Sequence, residues 1–502
     1  MNPVLYNPNY KNFDPRLSLA WAPAALHGKT VVRAGFGIYH GAAQNDDLNA
    51  GLESDTYRVS VSGLTVSPAL TQEIPDLSGL SGQKAANHPR ALQRENRRDL
   101  YAEEWGLTIE HELPVGFLLS ASYLGSHGVR LFSRGGVNLC DSPVTPNNPD
   151  TTLATDCVRP LDPYFPGPAT FGAAPTTTDP YGSVDIKRDI GSSFYDALGV
   201  SLERPMRNGF SIQTRYTYSH SINDGSVGGG ESNGPENVNC LACDKGPSIF
   251  DIRHNFVANA IYQLPFGPGK TYLNQPGALG KIVGGWEVSS VGMWHTGHPL
   301  TVSMGLNTIG TNGTPFYAAG NPFSNLNNPS APFPATLLLP DGNDQTNQRP
   351  DIVPGVPLTL PGGGHNGIPL VNPAAFQSPP VDANGFFTRF GDAGNGIIRA
   401  LPSWQVDLAI MKETKITERL GVEFGVQAFN IFNHTQLGDP NQLTLNYPSN
   451  PDPANPRQLI TTPNFGAITS TVNFNANNDN VASPNTGTGL PRQLQLMLRF
   501  KF

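Results

Sequence analysis

The last ten residues carry apolar side chains at every second position, with polar residues between them except at Met497, and this pattern constrains the fold more than any other feature. Every second position is apolar, at Leu494, Leu496, Leu498, Phe500 and Phe502. Successive side chains of a β-strand point to opposite faces, so these five residues would share one face. An α-helix would distribute them around its circumference. The C-terminus is therefore predicted to be a two-faced strand.

The same alternation recurs and predicts about eleven strands of roughly ten residues, the length that a tilted strand needs to cross a bilayer. No apolar run approaches the roughly 18 residues of a transmembrane helix. The predicted fold class is all-β, an antiparallel transmembrane β-barrel of the outer-membrane type. The other clear strands are Arg16–Trp21, Trp105–Glu110, Leu198–Glu203, Phe210–Ser219, Trp404–Ile410 and Val422–Ala428, and the segments 29–40, 116–126, 252–264 and 286–304 fit less well.

The connections between the predicted strands alternate in length. The short ones are 24–28, 113–115, 206–208 and 413–419, with 265–285 somewhat longer; the long ones are 42–100, 127–193, 223–250, 305–401 and 435–491. Outer-membrane barrels have short periplasmic turns and long extracellular loops. A soluble β-sandwich has no reason to separate its loops in this way, and a propeller needs a blade repeat that the sequence lacks. Because the C-terminus of a bacterial barrel lies in the periplasm, all five long connections are predicted to be extracellular.

The strand count predicts an incomplete barrel. An intact bacterial barrel has an even number of strands and both termini in the periplasm. An odd count of about eleven instead starts the first strand at the cell surface, and an open sheet would expose unpaired backbone groups to lipid. The first residues also lack the basic start and apolar stretch of a signal peptide. We therefore expect residues 1–502 to be the C-terminal part of one barrel domain; the sequence does not distinguish a natural fragment from a truncated gene.

Composition argues against several functions. Only 14% of residues are charged, the net charge is −8, and no basic stripe suggests nucleic acid. The motifs of serine hydrolases, zinc proteases and kinases are absent, and no histidine has partners at metal-ligand spacing. We expect no enzyme, no catalytic residues, no cofactor and no metal site.

The four cysteines fall in two of the long connections. Cys140 and Cys157 lie in 127–193, and Cys240 and Cys243 form a CxxC motif in 223–250. An even count permits two disulfides in an oxidising compartment, and four cysteines allow three pairings, among which the sequence does not choose. Zinc binding and redox catalysis lack the supporting ligands and the βαβ context.

Strand parity nominates two further sets of residues. The last strand ends with Phe500 and Phe502, and this ending resembles the signal that the barrel-assembly machinery recognises. The charged residues on the polar faces are candidates to line the lumen, although any one of them could equally pair or hydrate there without a specific role. These candidates are Arg33, Glu110, Glu203, Arg215, Asp407, Glu423, Arg499 and Lys501.

Seven short segments, in the same order along the chain, resemble the Oar-like branch of the TonB-dependent receptors of Gram-negative bacteria. They are Phe13–Leu17, Lys29–Gly37, Ser122–Gly128, Tyr216–Ser221, Phe250–His254, Gly284–Trp286 and Asn430–His434. The resemblance implies a barrel of 22 strands with a plugged lumen, of which this chain would supply about half. It also implies a signal peptide, a plug that contacts the TonB complex, and the first barrel strands. None of these segments is evident in the sequence.

The function expected from this resemblance is that of an outer-membrane receptor or transporter. Extracellular loops would capture a solute, and a plug energised from the inner membrane would open the lumen. The expected partners are outer-membrane lipid, the barrel-assembly machinery, an unknown solute and, through the plug alone, the TonB complex. Two alternatives are a passive porin-like channel and a surface adhesin or binding protein without transport. The sequence names neither the ligand nor the energy source.

Overall fold

In the computed structural model, the residues whose structure is described are 10–41, 90–92, 98–137, 184–225, 236, 240–275, 277–306, 349–380, 389–417, 420–440, 442–448, 452, 454–471 and 491–502. Most of them belong to one large antiparallel sheet or to the connections at one end of it. Cys140, Cys157 and most of the connection 42–100 lie outside the described residues.

Eleven strands form the main path of the sheet, and each pairs antiparallel with the next one along the chain. This meander confirms the predicted strands and the all-β class. The strands are β1 (Arg16–Trp21), β2 (Thr30–His40), β3 (Tyr101–Leu113), β4 (Phe117–Val137), β5 (Val184–Arg207), β6 (Phe210–Asn223), β7 (His254–Gln263), β8 (Trp286–His295), β9 (Ser403–Lys415), β10 (Gly421–Phe429) and β11 (Gln493–Lys501). The sheet is open, with β1 and β11 at its edges.

Residues in the left-handed backbone region form the tight turns. Asn208 and Gly209, with φ of 53° and 77°, join β5 to β6. Asn-Gly is favoured in such two-residue hairpins because both positions need positive φ. His27 and Gly28 turn the chain between β1 and β2 with φ of 51° and 73°. These short turns keep neighbouring strands in the register that the alternation requires.

The predicted connection 127–193 is wrong in its boundaries. β4 continues to Val137 and β5 begins at Val184, so the hairpin projects well past its neighbours. The sequence conceals this because Gly and Ser interrupt the alternation and the register shifts near Arg130, which has a φ of 56°. The predicted strand 286–304 is also shorter than expected, since β8 ends at His295 and the chain then leaves the sheet.

Smaller elements fill the connections. The helix α1 spans Gly277–Val283, and 3-10 turns span Ala24–Leu26, Pro114–Gly116, Leu241–Asp244 and Pro373–Ala375. Two pairs of two-residue strands are antiparallel: Pro299–Leu300 with Ile398–Arg399, and Asp351–Ile352 with Phe376–Gln377. The four-residue strand Ser303–Leu306 runs parallel to Thr444–Tyr447, and Thr444–Tyr447 also pairs with Ile460–Thr461. Gly246–Pro247 pairs with the end of β6, and Arg90–Leu92 runs parallel to the start of β5. No helix among the described residues is both long and apolar enough to span a bilayer.

Candidate functional site

One face of the sheet is apolar from β1 to β11. A row of directly paired residues crosses nine strands on this face: Trp21, Val32, Ile109, Ala121, Val200, Tyr216, Phe256, Trp294 and Trp404. A second row on the same face starts at Ile410, also on β9, and passes through Val426 on β10 to Leu496 on β11. Leu496 is 71% exposed, so this apolar surface is presented outward and is not packed as a protein core. Such a face suits contact with lipid.

The strands are staggered in the way that a barrel requires. Trp21 ends β1 at the short-turn end of the sheet, whereas Trp404 lies at the start of β9, next to the long connections. Lateral pairing thus moves steadily from one end of the sheet to the other, which is the shear of a tilted barrel. On β8, Trp286 and Trp294 mark the two ends of the apolar band. Eight residues at about 3.3 Å and a tilt of about 40° place them roughly 20 Å apart, close to the height of a barrel's lipid-facing band.

All eight charged candidates lie on the opposite face, because the paired registers keep their parity from β2 to β11. Several are paired there: Arg33 with Glu110, Glu203 with Gln213 at 3.1 Å, Lys501 with Glu423 at 3.1 Å, and Arg499 with Glu423 at 3.6 Å. Asp407 accepts hydrogen bonds from Gln405 Nε2 and from the Asn430 backbone N–H, both at 2.8 Å, and Arg215 is exposed. The structure therefore places them on one polar face, and lining a lumen remains a proposal. Phe500 and Phe502 are exposed at the end of the apolar face.

The connections at the far end of the sheet fold together. We call residue 236 and the described parts of 240–253, 296–306, 349–380, 389–402, 430–448 and 454–471 the loop assembly. Its apolar core includes Val302, Val371, Ala375, Leu445 and Phe465, all at most 4% exposed. Buried apolar area of this kind stabilises a fold by about 25 cal/mol per Å². The described parts of these connections thus form a packed structure with its own core.

A buried arginine joins two of these connections. Arg349 Nη2 lies 2.6 Å from Glu236 Oε2, and Arg349 Nη1 lies 2.5 Å from Asp244 Oδ1. All three side chains are at most 5% exposed. Arg349 Nε also donates to the Ala393 carbonyl at 2.7 Å, and its backbone N–H donates to Glu236 Oε1 at 2.7 Å. We call Arg349, Glu236 and Asp244 the Arg349 cluster.

Burial raises the pKa of Glu236 to about 7, although the positive charge of Arg349 opposes the shift. Asp244 adds to the rise because a second carboxylate in the same pocket disfavours ionisation. One arginine cannot neutralise two carboxylates, so the Arg349 cluster carries an excess negative charge when both are ionised.

Two further buried aspartates tie the assembly together. Asp351 is held by Arg389 at 2.6 Å and by Arg457, which comes from the last long connection. Asp251 is bound by Arg399 Nη2 at 2.5 Å and by the Ser221 backbone N–H at 2.7 Å. Burial alone would raise the pKa of Asp251, but these hydrogen bonds hold it below its usual range. Charge-assisted hydrogen bonds of this kind are stronger than neutral ones.

A disulfide between Cys240 and Cys243 lies beside the Arg349 cluster. The disulfide closes the turn that contains Leu241–Asp244, and so it fixes Asp244, the residue that Arg349 contacts. The Cys243 carbonyl itself accepts from Arg349 Nη2 at 3.4 Å.

The described surface of the assembly has an open cleft of about 490 Å³ whose wall is polar and apolar in equal parts. Side chains with amide and guanidinium groups supply the polar part of its wall, and Arg457 is one third exposed there. Its lining residues are Gln377, Ala454, Asn455, Pro456, Arg457 and Gln458. Such groups suit a polar or anionic solute. In the part of the chain that the structure describes, no group of His, Cys, Asp and Glu side chains is arranged to hold a metal ion.

The sequence reasoning missed the acid and arginine residues of the loop assembly. Glu236, Asp244 and Arg349 are more than a hundred residues apart at the extremes and follow no periodic pattern. Only the segment Phe250–His254, quoted for its resemblance, contained one of these residues, Asp251. The one sequence signal for these buried residues was therefore Asp251, an aspartate inside a segment that resembles the family.

Comparison with known proteins gives a family for the whole fold. The family model for the outer membrane beta barrel domain matches residues 1–495. No curated protein sequence matches the chain. Similar solved structures include the outer membrane transporter YddB from Escherichia coli, with a TM-score of 0.43 and 9% identity over 98% of this chain and 40% of that one. For the ferripyoverdine receptor of Pseudomonas aeruginosa the TM-score is 0.36 and the identity 12%, over 98% of this chain and 33% of that one. For the FrpB iron transporter from Neisseria meningitidis the TM-score is 0.33 and the identity 9%, over 84% of this chain and 35% of that one. The chain thus spans at most about 40% of the length of these proteins.

Proposed function

The chain belongs to the outer membrane beta barrel domain family of the bacterial outer membrane, and from this premise we propose that it is the barrel segment of a TonB-dependent receptor. In this role the loop assembly captures a solute at the cell surface, and the polar face of the sheet lines the route across the membrane. By the resemblance described above, a plug and the TonB complex energise the passage.

The observation that carries this proposal is the folded loop assembly. A passive channel needs only a polar lumen, whereas the described connections build a hydrophobic core and three buried carboxylate sites at one end of the sheet. Ordering so many residues costs conformational entropy, which the apolar core and the ion pairs offset. A preorganised surface of this kind supports capture of a ligand, because little further ordering is needed on binding.

The cleft beside Arg457 is the proposed point of first contact with the solute. Arg457 shares the carboxylate of Asp351 with Arg389, so the three residues together carry a net positive charge. Arg389 is also 45% exposed, which leaves its guanidinium accessible. We therefore propose a polar solute with acidic or hydroxyl groups, recognised by arginine and amide donors.

Two measurements on the full chain separate the candidates. Sodium carbonate extraction of outer membranes should leave the chain in the pellet, and release into the supernatant would favour a surface binding protein. In planar bilayers we expect no steady conductance from the full-length protein that includes the plug implied by the resemblance, since the plug closes the lumen until it is energised. A stable ohmic conductance would show a passive channel and overturn the proposal.

A further inference from the structure

The connection between β7 and β8 differs from the other turns at its end of the sheet. Residues 265–285 are longer than the neighbouring turns and contain α1. Four large apolar side chains are largely exposed here: Tyr272 at 58%, Leu273 at 57%, Leu279 at 57% and Ile282 at 64%. An exposed apolar group of this kind on a folded turn needs an explanation.

The turn is tightly folded, so these side chains are displayed in a defined place. A Cβ atom on Gly280 would lie 1.9 Å from the Gln275 carbonyl oxygen, and one on Gly267 would lie 2.5 Å from the Gly284 Cα. Gly267 also has a φ of 99°, which favours glycine. Backbone segments therefore pack directly on each other and leave the apolar side chains on the outside.

The helix α1 is fastened to the lipid-facing side of the sheet. Trp286 Nε1 donates to the Ile282 carbonyl at 3.1 Å, and Lys412 Nζ donates to the carbonyls of Lys281 at 2.8 Å and Gly284 at 2.6 Å. Trp286 and Lys412 are direct partners in the β8–β9 ladder, and both lie on the apolar face. The exposed residues of α1 thus continue the surface that the sheet presents to lipid.

The charge of this segment is one-sided. Residues 265–286 contain Lys270 and Lys281 but no aspartate or glutamate, whereas the whole chain has a net charge of −8. Both lysines are exposed. Basic residues beside an apolar surface are attracted to anionic phospholipid headgroups.

We propose that residues 266–275 and 277–283 form an interfacial anchor that lies in the phospholipid leaflet at the short-turn end of the barrel. Tyr272, Leu273, Leu279 and Ile282 enter the boundary between headgroups and acyl chains, and Lys270 and Lys281 face the lipid phosphates. The anchor rests on the outer-membrane location and is independent of whether the protein transports a solute.

Hydrogen–deuterium exchange of the full chain in lipid vesicles tests the anchor. In vesicles of phosphatidylcholine and phosphatidylglycerol, we expect the amides of 277–283 to exchange about tenfold faster in Leu279→Ser/Ile282→Ser than in the wild type, because burial of these side chains protects the helix. Val115→Ser, which changes a 67% exposed residue in the β3–β4 turn, is the matched control and should leave this exchange unchanged.

A second variant tests the charge without changing the apolar surface. Lys270→Gln/Lys281→Gln should lose the part of the protection that phosphatidylglycerol adds over pure phosphatidylcholine. Equal exchange of 277–283 in the wild type and the serine variant would overturn the proposal. Protection that rises with the protein-to-lipid ratio would do the same, because it would show that a second copy of the chain covers the helix.

Discussion

At the scale of single residues, Arg349 links two of the connections that form the loop assembly. It is buried between Glu236 and Asp244 and contacts both at 2.5–2.6 Å. Replacing it by Met leaves two buried carboxylates without a counter-charge, and we expect a loss of about 3–5 kcal/mol in the stability of the assembly. Native-state hydrogen exchange of residues 349–377 would measure this loss. The exposed Arg215, changed to Met, is the control; an equal effect of both changes would contradict the role of Arg349.

Glu236 makes the stability of the assembly depend on pH. Its pKa in the folded protein is raised to about 7 by burial, from 4.5. A raised folded pKa stabilises the protein fully below the unfolded value, and this stabilisation is lost as the pH rises through 7. The charges that face Glu236 are those of Arg349, Asp244 and Asp351. We expect residues 349–377 to resist urea better at pH 5 than at pH 8, and Glu236→Gln to reduce the difference. A steeper loss of resistance toward low pH would contradict this sign.

At the scale of elements, the turn after β10 is held by one glutamine. Gln436 is 1% exposed; its Oε1 accepts from Ser403 Oγ at 2.7 Å, and its Nε2 donates to the Trp404 carbonyl. Gln436→Leu would leave backbone and hydroxyl groups unsatisfied, at about 1–3 kcal/mol for each buried group. We expect faster amide exchange at 403–405 and 430–436. The nearby Gln458→Leu, in the cleft wall, should leave these amides unchanged, and equal rates in both variants would exclude the role of Gln436.

The elements were predictable to very different degrees. Seven of the eleven strands follow from clear local alternation, because the side chains that decide a strand's faces are two residues apart; the segments 29–40, 116–126, 252–264 and 286–304 carried a weaker pattern. The loop assembly was not predictable, since contacts such as Arg349 with Asp244 or Arg399 with Asp251 join residues more than a hundred positions apart. The projecting β4–β5 hairpin was missed for a different reason. Its pairing continues through glycine and serine, which carry no alternation signal.

At the scale of the whole molecule, the assignment of the two faces has a direct test on β11. Leu496 lies on the apolar face, and its neighbour Gln495 lies on the polar face. Leu496→Lys should lower the yield of outer-membrane protein, because a lysine facing the bilayer core costs about 2–4 kcal/mol. Gln495→Lys adds the same charge to the other face and should leave the yield close to that of the wild type. The yield of folded protein would be measured from its heat-dependent migration on gels. Equal yields of the two variants would disprove the face assignment.

The loop assembly separates its frame from its surface, and this has a consequence for how such a protein diversifies. The buried carboxylates and their arginines hold the connections in place, whereas the wall of the cleft is built from exposed side chains such as Asn455 and Gln458. Substitutions at Asn455 and Gln458 leave the frame intact, whereas Arg457 belongs to both the wall and the frame because it also binds Asp351. A library that randomises only Asn455 and Gln458 should therefore retain folded protein in most members, and under the proposed function it should change which solutes bind. The architecture lends itself to changes of specificity by few mutations, and the same frame could serve as a scaffold for engineered capture at a bacterial surface.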